Sequence, residues 1–128
     1  MYSMRGANLS VGTMIAGWDA RGPQIYFADN TGTRIKGDMF AVGSGGTFAL
    51  SILDTQTKRH ELTEDEAIEL GIKAIRHATF RDAYSGGFIN VYLITAKEGW
   101  RKVYTEDIAR SPEVWKRLQS DTDRENDV

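Results

Sequence analysis

The sequence predicts an α+β fold, and three observations carry that prediction. Short strand-like runs separated by turn residues come first. Two segments of helical character follow with no strand between them, and a strong strand with a hairpin partner comes after. Strands and helices segregated in this way argue against an alternating doubly wound sheet. The chain has 128 residues, 41% of them hydrophobic and 27% charged, which fits one globular domain or part of one.

Residues 12–18 (GTMIAGW) are apolar and small, as in a strand covered on both faces. Residues 19–22 break that run, Pro23 follows, and residues 24–28 (QIYFA) are rich in strand formers. Asp29, Asn30, Thr31 and Gly32 form a turn cluster. Residues 33–36 alternate weakly and residues 39–42 are a further short apolar run, so the spacing predicts an antiparallel meander. Residues 43–46 (GSGG) then precede residues 47–53 (TFALSIL), whose few polar side chains predict a buried helix. Residues 54–60 are a polar connection.

The second helix has the strongest start signal. Thr63 and Glu66 match a capping box, in which each side chain bonds the other residue's backbone N–H. Glu64, Asp65 and Glu66 complement the positive end of the helix dipole. Lys73, Arg76 and His77 lie nearer its negative end, with Arg81 just beyond. Ile68, Ile72, Ile75 and Thr79 form one stripe at helical spacing. Ala67, Gly71, Ala74 and Ala78 form a small-residue stripe beside it, which would let another layer approach closely. Residues 81–87 (RDAYSGG) turn the chain into a strand at residues 88–95 (FINVYLIT). Residues 96–99 turn it again, and residues 100–104 return as a hairpin partner. Ser111 and Pro112 read as an N-cap and first helical position, starting a short helix with Val114, Trp115 and Leu118. Residues 120–128 are acidic and are expected to be a disordered tail, leaving residues 1–119 as part of a single domain.

Composition removes several classes of function. A net charge of −2 leaves no basic footprint, so nucleic acid is not an expected partner. The absence of cysteine removes disulfides, thiolate nucleophiles and cysteine zinc sites, and fits a reducing compartment. No apolar run approaches the ~20 residues of a membrane span. The start, MYSMRGANLS, lacks the apolar stretch of a secretory signal. His60 and His77 stand in no metal-ligand spacing, so no cofactor and no side-chain metal site is expected, while backbone carbonyls in a glycine turn could hold a cation. Gly12-Thr13 resembles a self-cleavage junction, but Thr13 falls in what reads as a buried strand and is rejected as a nucleophile.

The RDAYSGG turn carries the most information. Its glycines allow positive φ or a close backbone approach, and Asp82 and Ser85 are short polar residues that a compact turn can aim at one point. Local chemistry alone favours a helix C-cap with glycine in the left-handed conformation. Residues 43–46 could cradle an anion at a helix start, but they lack the Gly-Lys-Ser/Thr ending of a phosphate loop, so Ser44 reads better as a helix cap.

The blocks GTMIAGWD (residues 12–19), GTRIKGDMFAVGSG (residues 32–45) and RDAYSGG (residues 81–87), followed by NVYLI and EGW, resemble the C-terminal half of catalytic proteasome beta subunits of the chymotrypsin-like type. The resemblance runs from about Tyr2 to about Leu118. It implies part of the four-layer αββα sandwich of N-terminal-nucleophile hydrolases. It also implies rings of seven subunits, stacked with other alpha and beta subunits in the core particle of cytoplasm and nucleus. The implied activity is that of a threonine endopeptidase acting on polypeptide substrate after large hydrophobic residues. By match of motif, Ser44, Asp82 and Ser85 support the nucleophile, orienting its amine and hydroxyl. The resemblance places the threonine itself in a preceding half that is not in this sequence, so no residue here is expected to act as nucleophile. The chain is expected to be inactive alone. The alternative expectation is a non-catalytic interaction fragment that keeps beta-subunit surfaces.

Overall fold

The computed structural model describes residues 3, 6–8, 10–56, 61–112 and 116. The predicted meander is present: β1 (Thr13–Asp19), β2 (Gly22–Ala28) and β3 (Arg34–Gly37) form an antiparallel sheet in sequence order. Side-chain acceptors close both turns. Asp19 accepts from the Arg21 backbone N–H at 2.8 Å, and Gly22 supplies the left-handed φ of +102°. Asp29 accepts from the backbone N–H groups of Thr31 and Thr33, each at 2.9 Å. Such bonds replace the ladder bonds that a turn loses.

Helices α1 (Gly46–Leu53) and α2 (Glu64–Arg81) follow. Strands β4 (Phe88–Thr95) and β5 (Gly99–Asp107) then pair as an antiparallel ribbon, with a bulge between Val91 and Tyr92. A 3-10 helix (Ile108–Arg110) ends on Ser111. Contacts run from α1 to α2, from α2 to β4, and from β4 and β5 to β1. The order is therefore helices, ribbon, meander: mixed α+β content arranged as part of an αββα sandwich. No helix among the described residues is long and apolar enough to cross a membrane.

The capping box holds as predicted. The Glu66 N–H donates to Thr63 Oγ1 at 3.2 Å, and the Thr63 N–H donates to Glu66 Oε2 at 2.8 Å. The C-terminal half of the small-residue stripe is the buried part of α2, while Ala67 is exposed. Ala74 and Ala78 pack with Ala49 of α1, and Ala41, Ile52 and Leu53 close around them. Short side chains let the helix axes come close, so this contact is made by methyl groups. Gly71 lies outside that explanation, since no atom stands within 4 Å of where its Cβ would be.

Several expectations are corrected. Residues 12–18 do form a strand, but every residue of β1 is exposed, so it is buried on neither face. The rejection of Thr13 as a nucleophile loses its premise of burial, although Thr13 is paired with Ala28 in the ladder. Residues 39–42 form no strand, because the chain folds back after Gly37. There the Phe40 ring lies where a Gly37 side chain would be and meets the Phe27 ring at a centroid distance of 6.0 Å. The first helix is not buried as a whole: Ala49 is covered, while Phe48 and Leu50 remain exposed. Arg81 is the last residue of α2 rather than one beyond it. The return strand extends from Gly99 to Asp107. Ser111 ends the 3-10 helix, with its N–H bonded to the Ile108 carbonyl, before Pro112 enters a helical conformation. Val114, Trp115 and Leu118, and likewise His60 and the acidic tail, lie outside the described residues.

Candidate functional site

The RDAYSGG segment does not form the left-handed cap that its glycines suggest. Helix α2 ends on Asp82, which is extended (φ −107°, ψ 118°) and bonds its N–H to the Ala78 carbonyl. The left-handed residue is Gly87 (φ +84°), where the turn meets β4. Because Asp82 leaves the helix extended, its side chain turns towards the start of α1.

Two hydroxyl groups meet it there. Ser44 Oγ and Ser85 Oγ each donate to Asp82 Oδ2 at 2.6 Å. The Tyr84 backbone N–H donates to Asp82 Oδ1 at 3.3 Å, and the Ser85 N–H donates to the Asp82 carbonyl at 3.1 Å. The Ser44 hydroxyl, then the Ser85 hydroxyl, hold the Asp82 carboxyl below the usual carboxylate range, against a smaller opposing effect of partial burial. All three predicted residues are thus brought to one point by segments 38 positions apart in the chain. Ser44 is not the helix cap: α1 is capped at Gly45 with no side-chain bond, and the Ser44 hydroxyl is spent on Asp82.

Gly45 makes this meeting possible, and its contribution was not read from the sequence. It is buried, and a Cβ there would lie 2.8 Å from Ser85 Oγ, 3.1 Å from Ala78 Cβ and 3.2 Å from Asp82 Oδ2. The glycine run gave the signal, but which of its members is packed tightly depends on a helix distant in sequence. Tyr84 sits in the same turn with 92% of its surface exposed.

Beside the cluster opens a groove of about 490 Å³. Ser44 and Ser85 lie on its polar side, and Met14, Val42, Ile75 and Phe88 contribute apolar surface. Each serine donates its one proton to Asp82 and keeps oxygen lone pairs for a donor from outside. An anionic carboxylate with two hydroxyl acceptors suits an amine or ammonium group. Among the described residues no group of His, Asp and Glu could hold a metal ion.

As part of an αββα sandwich, the chain is of the class of proteasome subunits. The chain belongs to the proteasome subunit family, whose model it matches over residues 1–94. Within that family it is similar to beta subunits of type 5. It is 53% identical over 107 residues to proteasome subunit beta type-5 of Dictyostelium discoideum, covering 84% of this chain and 39% of that protein. With the type-5 subunit of Gallus gallus it shares 50% identity over 109 residues, 85% of this chain and 42% of the relative. Human proteasome subunit beta type-8 is 46% identical over 109 residues, 85% of this chain and 39% of the relative. The chain spans about two fifths of the length of these relatives and corresponds to a C-terminal portion.

Proposed function

We propose that this chain is the C-terminal part of a 20S core-particle beta subunit and supplies the support of a threonine-type endopeptidase site. The observation that carries the reading is the convergence of Ser44 and Ser85 on one oxygen of Asp82 in a chain of this family. In the proposed arrangement the nucleophilic threonine comes from a segment outside this sequence. Asp82 stabilises the positive charge that forms on its amine during the reaction, and the two serine oxygens accept from that amine's N–H groups and so orient it towards the nucleophile's hydroxyl. The neutral amine takes the hydroxyl proton as the oxygen attacks the peptide carbonyl and returns it to the departing peptide amine as the C–N bond breaks; water, deprotonated by the same amine, then hydrolyses the resulting ester and restores the hydroxyl. Ser44, Asp82 and Ser85 orient and hold a proton without themselves reacting. The substrate class is polypeptide cut after large hydrophobic residues. The partners are other alpha and beta subunits in stacked seven-membered rings, in cytoplasm and nucleus.

The test is a chimaera. Residues 1–118 replace the corresponding part of a full-length type-5 relative, and the assembled particle is assayed on a fluorogenic peptide with a large apolar residue before the cut bond. The chimaera is expected to hydrolyse it, and the isolated chain to give no turnover above a protein-free control. An assembled but inert chimaera would refute the site assignment.

A second reading, a non-catalytic fragment that keeps subunit surfaces, is favoured by the exposure of Phe88 and Trp100, at 62% and 72%. It is distinguished by native mass spectrometry: co-purification with core subunits, with no peptidase activity traceable to this chain.

A further inference from the structure

Arg76 of α2 and Glu106 of β5 form the structure's least exposed ion pair among those described, with Nη2 to Oε2 at 2.7 Å and side-chain exposures of 24% and 13%. Tyr104 joins it, its hydroxyl donating to Glu106 Oε2 at 3.0 Å, and Arg76 Nη2 reaches the same hydroxyl at 3.5 Å. Burial would raise the Glu106 carboxyl, but the neighbouring Ser111 hydroxyl, Arg76 and Tyr104 together hold it below its usual value, so it is the ionised form that this site favours.

The position of this pair gives it a task. Glu106 is the ladder partner of Ile89, the one large side chain that is fully buried among the described residues. The chain from Arg76 to Ile89 runs through the end of α2 and the whole RDAYSGG turn, and the ion pair closes that stretch into a loop. Backbone bonds fix its interior at both ends, from the Asp82 N–H to the Ala78 carbonyl and from the Ile108 N–H to the Gly87 carbonyl. Ser44 stands outside this loop, on the segment entering α1. Asp82 is held by α2 and Gly87 by the ribbon side, so a shift of α2 against the ribbon deforms the turn between them, which carries Ser85. The start of α1 and the turn are closely packed there, since even a Cβ on Gly45 would lie 2.8 Å from Ser85 Oγ and 3.2 Å from Asp82 Oδ2.

We infer that Arg76 and Glu106 are a positioning pair for the Ser44–Asp82–Ser85 cluster, holding α2 and the ribbon at the separation where the three side chains meet. The inference rests on the cluster being the working site, yet its test reads the proton of Asp82 and not peptide hydrolysis. Its failure is therefore distinguishable from failure of the proposed function.

The test is Glu106→Gln in the full chain, with the Asp82 carboxyl followed by NMR through an acid titration. Removing a negative charge by itself would lower the Asp82 pKa through reduced repulsion. Loss of positioning predicts the opposite sign, an upward shift towards the ordinary carboxylate value, because the bonds from Ser44 and Ser85 lengthen. The double exchange Arg76→Glu with Glu106→Arg is expected to reverse the shift at least in part. Tyr104→Phe, a milder change, is expected to shift Asp82 in the same upward direction by less, and it serves as the test if Glu106→Gln fails to fold. An Asp82 titration that stays in place or moves down, with only the melting temperature lowered, would overturn the inference and leave the pair a structural tie.

Discussion

At the scale of single residues, the site depends on an absent side chain as much as on those present. A methyl group at Gly45 would fall 2.8 Å from Ser85 Oγ, closer than a real Cβ contact allows. Something must move, and the nearest movable group is the hydroxyl bonded to Asp82. Gly45→Ala is therefore expected to destabilise the chain by about 1–3 kcal/mol, the usual cost of overpacking a tight contact. It should also break at least one of the two 2.6 Å bonds. Denaturant unfolding measures the first effect and Asp82 titration the second. The lowered Asp82 pKa has a definite sign in pH dependence. The stabilising contribution of its bonds is complete above the unfolded carboxylate value and is lost as pH falls through the lower folded value. Asp82→Asn should flatten that part of the acid limb of stability against pH. An unchanged acid limb would show that Asp82 is not coupled to folding.

At the scale of elements, what the sequence made legible was what neighbouring residues determine. The capping box of α2 needs only Thr63 and Glu66, and both bonds are present. Thr63→Ala should cost about 0.5–2 kcal/mol of stability, read from the thermal midpoint, while Thr63→Ser should retain most of it. β4 and the β1–β2–β3 meander were legible for the same reason, since turn chemistry at Asp19 and Asp29 acts within a few residues. The errors fall where tertiary contact overrides local preference. Ser44 has the composition of a cap, but a carboxylate from α2 takes its hydroxyl. Residues 39–42 have strand composition, but the Phe40 ring is drawn back onto Gly37 and Phe27. The Arg76–Glu106–Tyr104 cluster was invisible, because no local pattern joins a helix to a strand so far along the chain. Asp82 and Ser85 were legible from the turn's own residues, and Ser44 was added to them only through the resemblance; the convergence of all three on one oxygen came from the structure.

At the scale of the whole molecule, the distribution of apolar surface is the governing fact. Among the described residues the buried apolar side chains are Ala49, Ala74, Ala78 and Ile89, three of which are methyl groups. A buried large apolar side chain stabilises a fold by about 1.5–3 kcal/mol, and here Met14, Ile15, Trp18, Phe88 and Trp100 make little of that contribution. β1 is exposed along its length: Met14 borders the groove beside the serine–aspartate cluster, and Ile15 and Trp18 line a smaller depression with Tyr26 and Arg34. Surfaces of this kind mark contact with further protein, and the relatives are more than twice as long as this chain. The proposed function thus makes Ile15 an assembly residue with little part in the stability of the chain itself. Ile15→Lys should leave the thermal midpoint of the isolated chain nearly unchanged, since its side chain is already 55% exposed. In the type-5 chimaera the same substitution should reduce incorporation into the core particle, read as the fraction of chain found in assembled species by native mass spectrometry. Met14→Lys should also impair the groove, and hence peptide turnover in particles that do assemble. If Ile15→Lys incorporates as well as the parent while melting several degrees lower, β1 serves the chain's own fold, and the partner surface must be sought elsewhere.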